Sequence, residues 1–141
     1  MKNFESLRVL IIDDMPAMRS LLQGMLQDMG FKNIDEAEDG EDAWHLLQQS
    51  TDSDFASDTY DLIVSDWHLS GMSGADLLRA VRSTENLRTL PFIMITAQSD
   101  SESISEAISA GVSAYLVKPF VSAHLEEKIR DVYKNEAAID S

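Results

Sequence analysis

The stretch LRVLIIDDMPAMR, Leu7–Arg19, decides how the rest of the chain is read. Its first six residues, Leu7–Ile12, form an apolar run rich in Val, Ile and Leu, which suits a strand covered on both faces. Asp13 and Asp14 close the run, and Pro16 stands where a first helical turn tolerates a missing N–H. Met15, Met18, Leu22, Met25, Leu26 and Met29 then recur at three- and four-residue steps until Gly30 stops the helix. That stripe reads as the core-facing side of a helix rather than a flexible binding surface. One strand, two acids and one helix make a β-α unit.

The unit recurs along the chain. Further apolar runs occupy Ile34–Ala37, Asp61–Ser65 (DLIVS), Pro91–Ile95 (PFIMI) and Ala114–Val117 (AYLV). Helical periodicity follows each: Ala43, Leu46 and Leu47 after Gly40, then Ala75–Val81, Ile104–Ala110 ended by Gly111, and Ala123–Tyr133. Alternation of this kind predicts an α/β domain, a doubly wound five-stranded parallel sheet with five helices and right-handed crossovers. Gln48–Thr59 (QQSTDSDFASDT) reads as a polar surface loop before the third strand, and the tail after Lys134 as frayed. Residues 1–141 fit one domain. The short stretch beyond the fifth helix favours a stand-alone domain over a fragment of a larger regulator.

Composition narrows the function. Eleven basic against 25 acidic residues leave a formal charge of −14, which opposes non-specific binding to nucleic acid or an anionic membrane. No apolar run is long enough to span a bilayer, and Glu5 and Arg8 interrupt where a signal peptide would continue, so a cytoplasmic protein is expected. With no cysteine, no disulfide or thiolate metal site is available, and without clustered histidines a zinc site is disfavoured.

The polar residues that follow the strands carry the chemistry. Asp13 and Asp14 follow the first run, Asp66 the third, Thr96 the fourth and Lys118 the fifth. Parallel strands all end on one edge of the sheet, where open α/β sheets bind their ligands. Singly, each residue has a plain explanation: an acid before a helix caps it, a threonine sits in a turn, a lysine is solvated. Jointly they form a constellation. Two carboxylates about 4 Å apart repel by roughly 4 kcal/mol at an effective dielectric near 20, so three at one edge require cations among them. Lys118 supplies one charge, and a hard divalent ion that prefers oxygen supplies more. The cluster reads as a metal-dependent oxyanion site.

The stretches VLIIDDMPAMR, DEAEDGEDA, DLIVSDW, PFIMITAQ and GVSAYLVKPFVSAHLEEKI resemble response-regulator receiver domains, the chemotaxis regulators most closely, from about Leu7 to Tyr133. The resemblance implies a flavodoxin-like fold and a phosphoacceptor switch that catalyses only its own phosphorylation and dephosphorylation. It makes Asp66 the acceptor, with a phosphohistidine of a histidine kinase as donor. Mg²⁺, or Mn²⁺ in its place, would be held by Asp14 and Asp66, by Asp13 through water, and by the main-chain carbonyl of His68. Thr96 and Lys118 would grip the phosphoryl oxygens, Thr96 and Tyr115 would form the switch, and Lys118-Pro119 becomes a candidate cis peptide. His68 and Gln98 would tune loss of the phosphoryl group by controlling water. The output face would be the fourth helix, fifth strand and fifth helix, where Ile108, Val112 and Tyr115 could form an apolar patch, though core packing explains Ile108 equally well. A flagellar motor switch protein is the partner this suggests, with a phosphorelay intermediate as the alternative.

Ser70 departs from the family pattern, standing where proline is usual, so the SGMSG loop is expected to be less rigid. His45 and His124 read as surface residues. A metal-dependent phosphatase would need a second acid placed for proton transfer near Asp66 and a cap domain or substrate pocket, and none of these is apparent. No phosphate-binding glycine motif follows the first strand, which disfavours a nucleotide-binding module.

Overall fold

A computed structural model describes residues 4–52, 59–97 and 100–140, the last six of them by their backbone. Five strands, β1 (Arg8–Ile12), β2 (Asn33–Ala37), β3 (Leu62–Asp66), β4 (Phe92–Ala97) and β5 (Ala114–Lys118), alternate with five helices. The helices are α1 (Pro16–Met29), α2 (Gly40–Thr51), α3 (Gly74–Ser83), α4 (Ser101–Ala110) and α5 (Ser122–Asp140). The strands are all parallel and lie in the order β2-β1-β3-β4-β5. This is the expected doubly wound sheet.

Alternation along β1 divides the core in two. Leu10 and Ile12 pack with Leu47 of α2, Leu77, Leu78 and Val81 of α3, and Ala107 of α4. Val9 and Ile11 pack on the other face with Leu22 and Leu26 of α1 and Leu125 and Ile129 of α5. Helices on both faces explain why the inner strands read as unbroken apolar runs. The edge strand β2, NIDEA, keeps polar side chains toward solvent, which discourages pairing with another chain. In α1, Leu22 and Leu26 are fully buried, whereas Met15 precedes the helix and is exposed. Gly30 ends α1 at φ 110°, a left-handed conformation in which its N–H reaches the Gln27 carbonyl.

The chain leaves β1 for β2 on one side and returns past β1 to β3 on the other. A crevice therefore opens at the carboxyl ends of β1 and β3.

Several boundaries differ from the reading above. Gln48–Thr51 are the last turn of α2, not loop: the hydroxyls of Ser50 and Thr51 bond back to the carbonyls of Leu47 and Gln48, and Ser50 is buried. Polar composition concealed a helix end whose hydroxyls satisfy its own carbonyls. Of the remaining insert, 53–58 lie outside the described residues. Asp66, Thr96 and Lys118 lie inside their strands rather than after them. α5 runs through Asp140. Lys118-Pro119 is cis.

Candidate functional site

Each acid of the cluster owes its place to a strand end. Asp66 is the last residue of β3 and pairs in register with Ile95 of β4. Asp13 extends the β1 ladder by one residue, its N–H donating to the Ala37 carbonyl at 3.2 Å. The Asp13 Oδ1 accepts the Met15 N–H at 2.8 Å, a turn ahead of α1 and not a cap, since Met15 is itself the N-cap residue and no side chain among the described residues bonds the first helical N–H groups. Its Oδ2 is buried and has no hydrogen-bond partner among the described residues. Asp14 is exposed. One oxygen from each of Asp13, Asp14 and Asp66 lies within 4.8 Å of the others.

The opposing charge is present. Lys118 Nζ lies 3.5 Å from Asp66 Oδ2 and reaches it from the end of β5. Thr96, next to Lys118 along the same edge, is fully buried, and its hydroxyl lacks a partner among the described residues. Two buried polar atoms without partners in one crevice are costly unless a ligand meets them. Burial pushes the Asp13 carboxyl above its ordinary value, with Asp66 and Asp14 adding to the rise and the Met15 N–H and Lys118 opposing it. Hard oxygen donors, a lone buried carboxylate oxygen and crowded negative charge all fit a divalent cation such as Mg²⁺.

The loop between β3 and α3 frames the site. The His68 N–H lies 3.5 Å from Asp66 Oδ1, and its ring Nε2 is 2.6 Å from Asp100 Oδ2 at the start of α4. Ser70 Oγ is 3.5 Å from Asp14 Oδ2. Where the family has proline, this loop is held by another means: the Met72 N–H donates to Glu41 Oε1 of α2 at 2.8 Å. Gly74 opens α3 tightly against β3, since a Cβ there would lie 2.8 Å from the Trp67 carbonyl oxygen. Ser73 and Asp76 complete a capping box on the same helix.

Asp13, Asp14, Asp66, Thr96 and Lys118 thus converge as expected, with His68 beside them. Gln98 lies outside the described residues. Tyr115 stands apart on the outer face of β5, about one-third exposed, with Lys128 Nζ 6.0 Å from its ring centre. Ile108 is exposed rather than part of the core, while Val112 packs partly against the core. His45 and His124 are surface residues. Sequence reasoning missed Arg19, whose guanidinium bonds the Asp13 carbonyl at 2.7 Å and Glu36 at 3.1 Å, steadying the loop that carries the acid pair. It also missed Glu41 and Asp100. No local pattern marks these three, because their partners lie on other elements.

Comparison with known proteins agrees with this geometry. Residues 9–130 match the response regulator receiver domain family. The chain is 42% identical over 128 residues to the chemotaxis protein CheY of Pseudomonas aeruginosa, covering 91% of this chain and 97% of that protein. It is 40% identical over 130 residues to chemotaxis protein CheY-3 of Vibrio cholerae, covering 92% and 94%. The high-resolution structure of the chemotaxis response regulator CheY4 of Vibrio cholerae superposes with a TM-score of 0.74 at 28% identity, covering 89% of this chain and 98% of that one. No described helix is long and apolar enough to cross a membrane. A parallel sheet whose strand ends gather acids, hydroxyl and ammonium, joined to this similarity over nearly the whole length, shows that the chain belongs to the response regulator receiver domain family.

Proposed function

We propose that this receiver domain is a phosphorylation switch in two-component signalling, with Asp66 as the acceptor and the phosphohistidine of a histidine kinase as the donor. The observation that carries this reading is the pairing of Asp66 with Lys118 at 3.5 Å inside a cluster of three carboxylates. The Asp66 carboxylate attacks phosphorus, and the bond from phosphorus to the donor nitrogen breaks. Lys118 and the Thr96 hydroxyl receive the phosphoryl oxygens, so charge that develops in transfer meets donors already in place. Asp13, Asp14, Asp66 and the His68 carbonyl would hold Mg²⁺ or Mn²⁺, which supplies further neutralisation of those oxygens when bound.

The Thr96 hydroxyl has no other partner among the described residues, so drawing it toward a phosphoryl oxygen breaks no existing bond. Space released by that movement lets the Tyr115 ring turn inward, changing the face of α4, β5 and α5 that also bears Ile108 and Val112. His68, at the acceptor, and Gln98 tune hydrolysis. The domain catalyses only its own phosphorylation and dephosphorylation. The relatives named as chemotaxis proteins support chemotaxis as the output, and the resemblance to chemotaxis regulators suggests a flagellar motor switch protein as target and the cytoplasm as location.

The test is incubation with Mg²⁺ and phosphoramidate, followed by intact-mass measurement and peptide mapping. The wild type gains one phosphoryl group on Asp66, Asp66→Asn gains none, and chelating the Mg²⁺ suppresses the gain. A phosphoryl group mapped to another residue removes the reading.

A further inference from the structure

We propose that Asp100 is a positioning residue for the acceptor site: its carboxylate holds the His68 imidazole between the ends of β3 and β4 and so slows hydrolysis of phosphorylated Asp66. This rests on Asp66 being the acceptor. His68 and Asp100 are 32 residues apart, yet Nε2 and Oδ2 meet at 2.6 Å. The contact would mean little between two mobile surface side chains, since exposed ion pairs contribute little on average. Here one partner is anchored. Asp100 caps α4, accepting the Ser103 N–H at 3.2 Å and the Ser103 hydroxyl at 2.7 Å. Its carboxylate is thus tied to the first turn of a helix and shared with the imidazole, whose own side chain is otherwise 66% exposed.

The location makes the contact consequential. β3 and β4 are neighbours, with Asp66 opposite Ile95 and Thr96 one residue further along the same edge. His68 leaves the end of β3 and Asp100 follows the end of β4. Their contact therefore joins His68, two residues beyond the acceptor carboxylate, to the N-cap of α4. In hydrolysis a water attacks phosphorus, the bond from phosphorus to the Asp66 oxygen breaks, and the products are the free carboxylate and inorganic phosphate, which carries the proton. Such a water must approach in line, opposite the departing oxygen. A ring held by Asp100 narrows that approach, and a free ring leaves it open.

Asp100→Ser separates this role from capping, because serine still accepts the Ser103 N–H but is too short to hold the imidazole. The protein, its Asp100→Ser and His68→Ala variants and the double variant are phosphorylated with phosphoramidate and Mg²⁺. Donor is then removed and phosphoryl loss is followed by intact mass. Each single variant is expected to shorten the phosphoryl half-life about fivefold, equivalent to one hydrogen bond, and the double variant no more than His68→Ala alone. An unchanged half-life in Asp100→Ser overturns the proposal, as does an equal shortening by Asp100→Ser when His68 is already alanine. In unphosphorylated protein, His68→Ala is expected to speed amide exchange at Ser103 and Ile104. Unchanged exchange overturns the latch whichever residue takes the phosphoryl group, whereas phosphoryl mapped away from Asp66 with exchange still coupled defeats the acceptor reading and the hydrolytic role that rests on it.

Discussion

Asp13 is fully buried, one of its oxygens is bonded to the Met15 N–H, and the other meets no partner among the described residues. Burial and two neighbouring carboxylates raise its pKa above the ordinary 3.8. A folded-state value above the unfolded one means that the carboxyl's contribution to stability is complete below 3.8 and is lost as pH rises through the folded value. At neutral pH the ionised Asp13 is therefore a cost borne by the fold. Asp13→Asn keeps an oxygen for Met15 and places an amide donor among the acids. In EDTA at neutral pH we expect this variant to be more stable by about 1 kcal/mol, the gain vanishing in acid. Added Mg²⁺ should raise the unfolding temperature of the wild type more than that of the variant. Thermal unfolding across pH checks both, and a variant less stable than wild type at neutral pH would contradict them. The residue type and position of Asp13 were legible in the sequence. Its lone oxygen was not, because partner satisfaction depends on atoms from other strands.

At the scale of elements, local pattern read the helices and strands well except where hydroxyls hid a helix end in α2 and where β3, β4 and β5 ran on through Asp66, Thr96 and Lys118. Periodicity marks which residues face the core but not where backbone pairing stops. Connections between elements were illegible. Arg82 of α3 shows why: its guanidinium donates to the carbonyls of Gly111 at 2.8 Å, Leu90 at 2.7 Å and Arg88 at 3.1 Å, and to Ser113 Oγ at 3.3 Å. One side chain thus ties α3 to the loops that flank β4 and introduce β5, and those strands carry Thr96 and Lys118. Burial lowers the Arg82 pKa, as for any cation drawn from water. Replacing it with methionine leaves several carbonyls unmet, and we expect Arg82→Met to lose about 2–3 kcal/mol in urea unfolding. Phosphorylation of Asp66 should persist wherever the variant is folded. A variant as stable as wild type would show that these bonds contribute nothing net.

For the whole molecule, parallel connectivity gives the two ends of the sheet different tasks. Carboxyl ends of the strands carry the acids, while Asp52 and Thr59, which flank the insert, join the end of α2 to the start of β3 on the opposite edge. Removing residues 53–58 should leave phosphorylation of Asp66 within about twofold of wild type, since closing a shorter connection changes loop entropy by only about 0.6 kcal/mol per halving of length. Phosphoramidate labelling of the deletion variant, with circular dichroism to establish folding, tests this. A folded variant that no longer takes phosphoryl would contradict the separation of the two edges.

The sequence by itself determined the alternation of strands and helices and the kinds of groups at the strand ends, because burial on one or two faces leaves a local periodic trace. It also identified the family through the acids, hydroxyl and amine that appear in order along the chain. Only the tertiary structure decided which oxygens gather within 4.8 Å, that Asp100 meets His68, that Glu41 holds the loop bearing Ser70, and that Arg19 steadies the acid pair. Those pairings arise from strand order and helix placement, which bring distant residues together without leaving any mark on their neighbours in the chain.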